Sequence, residues 1–212
     1  LLAPETIGSI AYLSKYHKQL KKNIICGFNL SCVGDERAYS HISSPAGTNL
    51  ADQSITSAIS SFKNAKFYDF LQRGSDEKQF CSPGIDLPFC TFSKSKFGTY
   101  PEYHTNLDNL NLVTERGLQQ SLDVFKDIIT SFEMGAKPVS KFIGEPFLTK
   151  YDLYPTISFY NPGTNIEFKK KLQTLRDLIA YSGKKYNIFQ ISILIKKPLK
   201  KVLEAYKLLK EK

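Results

Sequence analysis

Apolar residues recur at helical spacing in several long segments, and short unbroken apolar runs lie between them. Residues 7–20 read as a helix with Thr6 or Ser9 near its start, and residues 54–62 as a second. Residues 115–134 carry Leu118, Leu122, Phe125, Ile128, Ile129 and Phe132 on one helical face. Residues 24–33 and 86–93 are runs of strand type. Strands separated by helices predict an α/β fold with a mixed, mostly parallel sheet flanked by helices. Ligands of such sheets bind beyond the carboxyl ends of the strands.

The tail has a different pattern. Residues 166–181 place Phe168, Leu172, Leu175, Leu178 and Ile179 at helical spacing, and Ser182-Gly183 ends that run with a residue able to adopt a left-handed cap. Asn187 can cap a short helix over 188–195, which Lys196-Lys197-Pro198 breaks. A third helix from Pro198 presents Leu199, Val202, Leu203, Tyr206 and Leu209 as an apolar stripe. This is the outline of a helix-turn-helix or winged-helix unit.

Charge separates the same regions. Sixteen basic and sixteen acidic residues occur up to Asn165, whereas thirteen of the 29 basic but only four of the 20 acidic residues follow it. With the turn signals Tyr154-Pro155 and Asn161-Pro162-Gly163, this predicts a domain over 1–137, a linker over 138–165 and a small helical domain over 166–212. Lysines 200, 201, 207 and 210 could contact phosphates, but the last helix has no arginine, asparagine or glutamine to read base edges. Nucleic acid is not an expected partner.

The 212 residues, 42% hydrophobic and 23% charged, suffice for one ordinary core with an appendage and exclude disordered or fibrous classes. No run approaches the ~18 apolar residues of a membrane span. The first residue is leucine and no basic start followed by an apolar core suggests a signal peptide, so a cytoplasmic protein is expected, either processed or a piece of a longer chain. Cys26, Cys32, Cys81 and Cys90 match no metal or redox spacing and read as reduced, mostly buried thiols. Three histidines exist: His17 in a lysine-rich helix, His41 in a serine-rich loop, and His104 beside Tyr103 and four residues before Asp108. His104 could be a metal ligand or general base whose tautomer an acid fixes. No phosphate loop, dinucleotide fingerprint or serine-nucleophile elbow competes.

Four strings carry a resemblance: PETIGSIAYLS from Pro4, CVGDERAYS from Cys32, RGSDEKQFCSPGIDLP from Arg73 and GTYPEYHTNLDNL from Gly98. They resemble the zinc aminopeptidase family, and more closely the aminopeptidase-like proteins of bacterial polysaccharide-biosynthesis loci, whose peptidase-like domain is followed by a winged helix. The resemblance implies a zinc-binding histidine at His104 and an oxyanion-stabilising tyrosine at Tyr103. Asp108 follows as a hydrogen-bond partner, and Asp76 and Glu77 fall in the pocket or support it. Glu5 stands where the family has a glutamate pair, as base or zinc ligand; read alone, it is equally a carboxylate placed at a helix N-terminus. Ser31 replaces the family's strand-end aspartate, so one zinc rather than two is implied. Further ligands would lie before Leu1, which makes this chain the carboxy-terminal half of a longer protein and that missing half its first partner. The implied substrate is a peptide or an amide-containing small molecule. A catalytically inactive binding or scaffold protein on the same fold, linked to polysaccharide biosynthesis, is the alternative.

Overall fold

Leu13 of the first helix sits between Phe80 and Leu87, with Leu20, Ile24, Ile85 and Phe89 packed around them. This cluster shows why the amino-terminal apolar spacing becomes helix α1, Ile7–Asn23. The structure, a computed structural model, describes residues 4–154, 166–183 and 185–211. Part of the expected linker, 155–165, lies outside the described residues.

Four short strands form one sheet: β1 Gly27–Leu30, β2 Tyr39–Ile42, β3 Ala65–Tyr68 and β4 Phe89–Ser93, in the order β1-β4-β2-β3. The β1–β4 and β2–β3 pairs are parallel and β2–β4 is antiparallel, so the sheet is mixed and mostly parallel. Both expected strands are shorter than their apolar runs, because Ile24 and Leu87 belong to the cluster under α1 instead.

Side chains alternate across β4. Phe89 stacks on Phe80 of α3, Glu77–Phe80, with ring centroids 4.3 Å apart. Phe92, three positions on, turns to the opposite face and meets Phe125 of α4, Glu115–Glu133, at 5.4 Å. Helix α2, Leu50–Ile59, starts in a capping box made by Asn49 and Asp52 and buries Ile55 and Ile59.

The expected stripe of α4 is corrected. Leu118, Leu122 and Ile129 are about half exposed, whereas Gly117, Ser121, Val124, Ile128 and Ser131 form the buried line. The reason is close approach. A Cβ on Gly117 would lie 1.9 Å from the Gly34 carbonyl oxygen, and Ser121 Oγ donates to the Val33 carbonyl at 2.7 Å. Small residues therefore take the inner line.

Two compact units divide the chain, Leu1–Phe125 and Lys126–Lys212. The second contains α5, Ile166–Tyr181, α6, Ile188–Leu194, and α7, Leu199–Lys210. Asn187 and Gln190 cap α6 reciprocally, and the turn to α7 passes through Lys196 at φ 53°. Leu172, Leu175, Leu178, Ile188, Ile191, Leu199, Val202 and Leu203 make its core. No strand is present among its described residues.

Candidate functional site

The loops after β1 and β4 leave the same end of the sheet, because those strands are parallel neighbours; β2 enters there, with Ser40 opposite Ser93. Most of the sequence-predicted site residues gather around these loops.

Glu5 immediately precedes α1. Its Oε1 accepts from Ser75 Oγ at 2.5 Å, and the Thr6 N–H donates to Asp76 Oδ1 at 2.7 Å. Thr6 adopts φ 65°, ψ −62°, and Ile7 N–H donates to the Glu5 carbonyl at 2.7 Å. This is a γ-turn of the strained, positive-φ kind. Thr6 thus makes no side-chain cap; the turn is closed by Asp76 instead.

Glu77 is fully buried. Its Oε1 accepts from the Gly74 and Ser75 N–H groups at 2.7 and 3.1 Å, and its Oε2 from Asn29 Nδ2 at 3.0 Å. One carboxylate therefore ties the loop before α3 to the edge strand β1, and its oxygens are committed to that task.

Tyr103 and His104 sit in the loop after β4, their rings stacked at 3.9 Å and 19°. His104 is exposed and held at φ 59°. Burial, with the nearby charges of Cys32 and Glu5, raises the Tyr103 hydroxyl above its ordinary pKa. Tyr100 is raised as well, by burial and by a hydrogen bond with the Cys32 side chain. Cys32 follows the end of β1 at φ 53°, with Ser31 Oγ 3.6 Å from its sulfur. Left-handed backbone at Thr6, Cys32 and His104 concentrates strain of the sort that functional sites hold. Asp108 is exposed, and its N–H donates to the Thr105 carbonyl at 3.2 Å.

Sequence reasoning missed Ser75, Cys32 and Tyr100. Only Cys32 carried a signal, its place near the end of an apolar strand run.

Among the described residues, the grouping of three potential metal donors lies elsewhere: His41, Asp52 and Cys90, with ligand atoms within 4.8 Å of one another and all three side chains buried. His41 is a strand residue in β2 and not in a loop as expected; its ring contacts Asp52 Oδ1 at 3.1 Å. Asp52 Oδ1 also accepts from Ser44 N–H, and Oδ2 from Ser44 Oγ and Asn49 N–H. Burial raises Cys90 well above the ordinary thiol pKa. Saturated carboxylate oxygens and a neutral thiol describe a structural network better than an open metal site.

Residues 1–135 match the family described as a domain of unknown function (DUF4910). The chain belongs to that family. Over 135 residues this DUF4910 chain is 38% identical to a Clostridium acetobutylicum protein described as a candidate polysaccharide-biosynthesis protein with an aminopeptidase-like domain, covering 63% of this chain and 30% of that one. A crystal structure of a candidate peptidase from Clostridium acetobutylicum is similar over 99% of this chain and 45% of its own, with 27% identity and a TM-score of 0.74. An aminopeptidase from Aneurinibacillus sp. strain AM-1 is more distantly similar, at 22% identity over 59% of this chain and 30% of that one, with a TM-score of 0.48. The DUF4910 chain thus spans less than half the length of these relatives.

Proposed function

We propose that this chain supplies one side of the active site of a zinc-dependent, aminopeptidase-like hydrolase that cleaves an amide or peptide bond. The observation that carries the reading is the stacked Tyr103–His104 pair in the loop after β4, with the Glu5 carboxylate held by Ser75 at the start of α1. The similarity to a candidate peptidase over 99% of the chain supports it.

Glu5 and His104 have the donor chemistry that zinc takes, but a catalytic zinc usually has three protein ligands, so these two would be a partial set. Zinc, when bound, acidifies a water and polarises a carbonyl. Glu5 fills one of two roles: as a ligand it completes that partial set, and otherwise it accepts the proton of an attacking water. Tyr103, protonated throughout the physiological range, donates its hydroxyl hydrogen to the developing oxyanion. The stack of His104 on Tyr103 orients both rings. The four free thiols suit a reducing compartment, the cytoplasm. Among the described residues no helix is long and apolar enough to cross a membrane.

The test is zinc content and hydrolysis of aminoacyl p-nitroanilides, measured on this chain and on a chimera placing the upstream part of the Clostridium acetobutylicum relative before it. One zinc per folded chimera, lost with His104→Ala, is the expected result. A folded chimera without zinc and without hydrolysis would overturn the reading.

A further inference from the structure

Beside the Tyr103-His104 pair, the same two loops enclose a groove of about 480 Å³ whose lining includes Arg37, Glu102, Leu107, Asn111, Leu112 and Thr114. Its floor is rigidly built. Asp35, almost fully buried, accepts from Arg37 N–H, Ser95 N–H and Ser95 Oγ, each at 2.8 Å. Thr114 N–H donates to the Gly34 carbonyl at 2.9 Å, and Thr114 Oγ to Glu36 Oε1 at 2.8 Å.

A row of rings leads from the groove to His104. The Arg37 guanidinium lies 5.2 Å from the Tyr100 ring centre, Tyr100 meets Tyr103 edge-on at 5.7 Å, and Tyr103 stacks on His104. Glu102 precedes Tyr103 in the chain and also lines the groove.

We infer that this groove is a subsite for a neutral, polyhydroxylated ring, a sugar or sugar-like moiety, carried by the substrate whose amide reacts at Tyr103 and His104. The inference rests on the hydrolase reading for its reacting end and on the groove alone for its ligand class. Every charge in the lining is already matched by the protein. Both Glu102 oxygens accept from Arg37, at 3.2 to 3.4 Å, and Glu36 faces Arg116 at 3.3 Å. An anionic ligand would meet three carboxylates, and a cationic one would compete with Arg37 and Arg116, which already hold them. A neutral polyol avoids both costs. Planar guanidinium and carboxylate groups side by side match vicinal hydroxyls, which donate and accept together. The exposed Asn111 side-chain amide, which makes no hydrogen bond among the described residues, adds a donor and an acceptor. Leu107 and Leu112 offer the apolar surface on which the C–H face of a sugar ring can lie.

The experiment is saturation-transfer NMR on this chain with N-acetylglucosamine, acetate and ethylamine as separate probes. Saturable transfer to N-acetylglucosamine is expected, with its dissociation constant raised at least fivefold by Arg37→Ala and by Asn111→Ala. Asn111→Ala removes an exposed side chain with no internal bond and leaves the fold as it is. Absence of sugar binding, binding unchanged in both variants, or tighter binding of acetate or ethylamine in the groove would overturn the inference. Sugar binding in a protein that fails the zinc and hydrolysis test would overturn the hydrolase reading alone; hydrolysis without sugar binding would overturn only the subsite.

Discussion

Asp76 Oδ1 accepts the Thr6 N–H at 2.7 Å across seventy residues of chain, and so anchors the strained turn that leads from Glu5 into α1. Hydrogen bonds to a charged partner contribute about 1.5–3 kcal/mol each. Asp76→Ala should therefore lower stability by about 2 kcal/mol, with Asp76→Asn, which keeps an acceptor, costing less. Thr6→Gly should be neutral or stabilising, since glycine adopts positive φ without strain. Urea denaturation of the three variants checks the ordering; a destabilised Thr6→Gly would contradict the strain.

The meeting of Gly117 with the Gly34 carbonyl fixes how close α4 comes to the loop after β1. Gly117→Ala puts a methyl 1.9 Å from that oxygen, which is backbone and can yield only by moving the loop. Overpacking of this kind costs about 1–3 kcal/mol despite alanine's better helix propensity. Thermal denaturation should show the loss, and amide exchange should show Thr114, which donates to the Gly34 carbonyl, less protected. A stabilised variant would mean that the approach is looser than described.

The long helices were readable from sequence because their period shows: α5 spans 166–181 as its apolar spacing predicts, whereas the expected helix over 54–62 lies at Leu50–Ile59, its start set by the Asn49–Asp52 capping box, and the four-residue α3 is too short to show a period. Strands β2 and β3 were not. Each has four residues, and β2 buries the polar Ser40 and His41, satisfied by the Lys94 carbonyl and by Asp52. No alternation survives in such a strand. His104 and Tyr103 stood out by residue type and adjacency. Ser75 on Glu5, and Cys32 against Tyr100, did not, because those pairings exist only once distant loops meet at the sheet end.

If Tyr103 stabilises an oxyanion, Tyr103→Phe in the active chimera should lower kcat by about 10²–10³-fold, the loss of one oxyanion donor, while KM changes little. The ring and its stack on His104 are kept, so the zinc content should be unchanged. A variant with full kcat would assign Tyr103 to orienting His104 rather than to the reacting oxygen.

Asp52 is held below the ordinary carboxylate pKa: burial opposes its charge, but hydrogen bonds from His41 and Ser44 outweigh that. Its folded value lies under its unfolded one, so its contribution is complete above the unfolded pKa of about 3.9 and is lost as pH falls through the folded value. Asp52→Asn should be less stable than the native chain at neutral pH, with the gap closing below pH of about 4. Urea midpoints at several acid pH values read this directly; a gap independent of pH would show that the ionised form contributes nothing.

Lys94 acts in the same direction at the alkaline side. Its side chain is fully buried, its Nζ donates to Gln120 Oε1 at 2.8 Å and lies 3.3 Å from the centre of the Tyr39 ring, and burial lowers its pKa to about 8. Unfolded lysine titrates near 10.4, at about that value, so between the two the unfolded chain binds more protons than the folded one. Native stability should accordingly rise with pH from about 8 toward 10 through this group. Lys94→Met keeps the volume and removes the titration, so it should be at least as stable as the native chain at pH 7 and lose that advantage progressively as pH rises. Denaturation midpoints of both proteins at pH 7, 8.5 and 9.5 decide the matter, since the raised tyrosines Tyr100, Tyr103 and Tyr206, which are not in contact with Lys94, are common to both and cancel in the difference. Parallel pH profiles would mean that Lys94 keeps its proton through the whole range, held by the Tyr39 ring and Gln120 against the effect of burial.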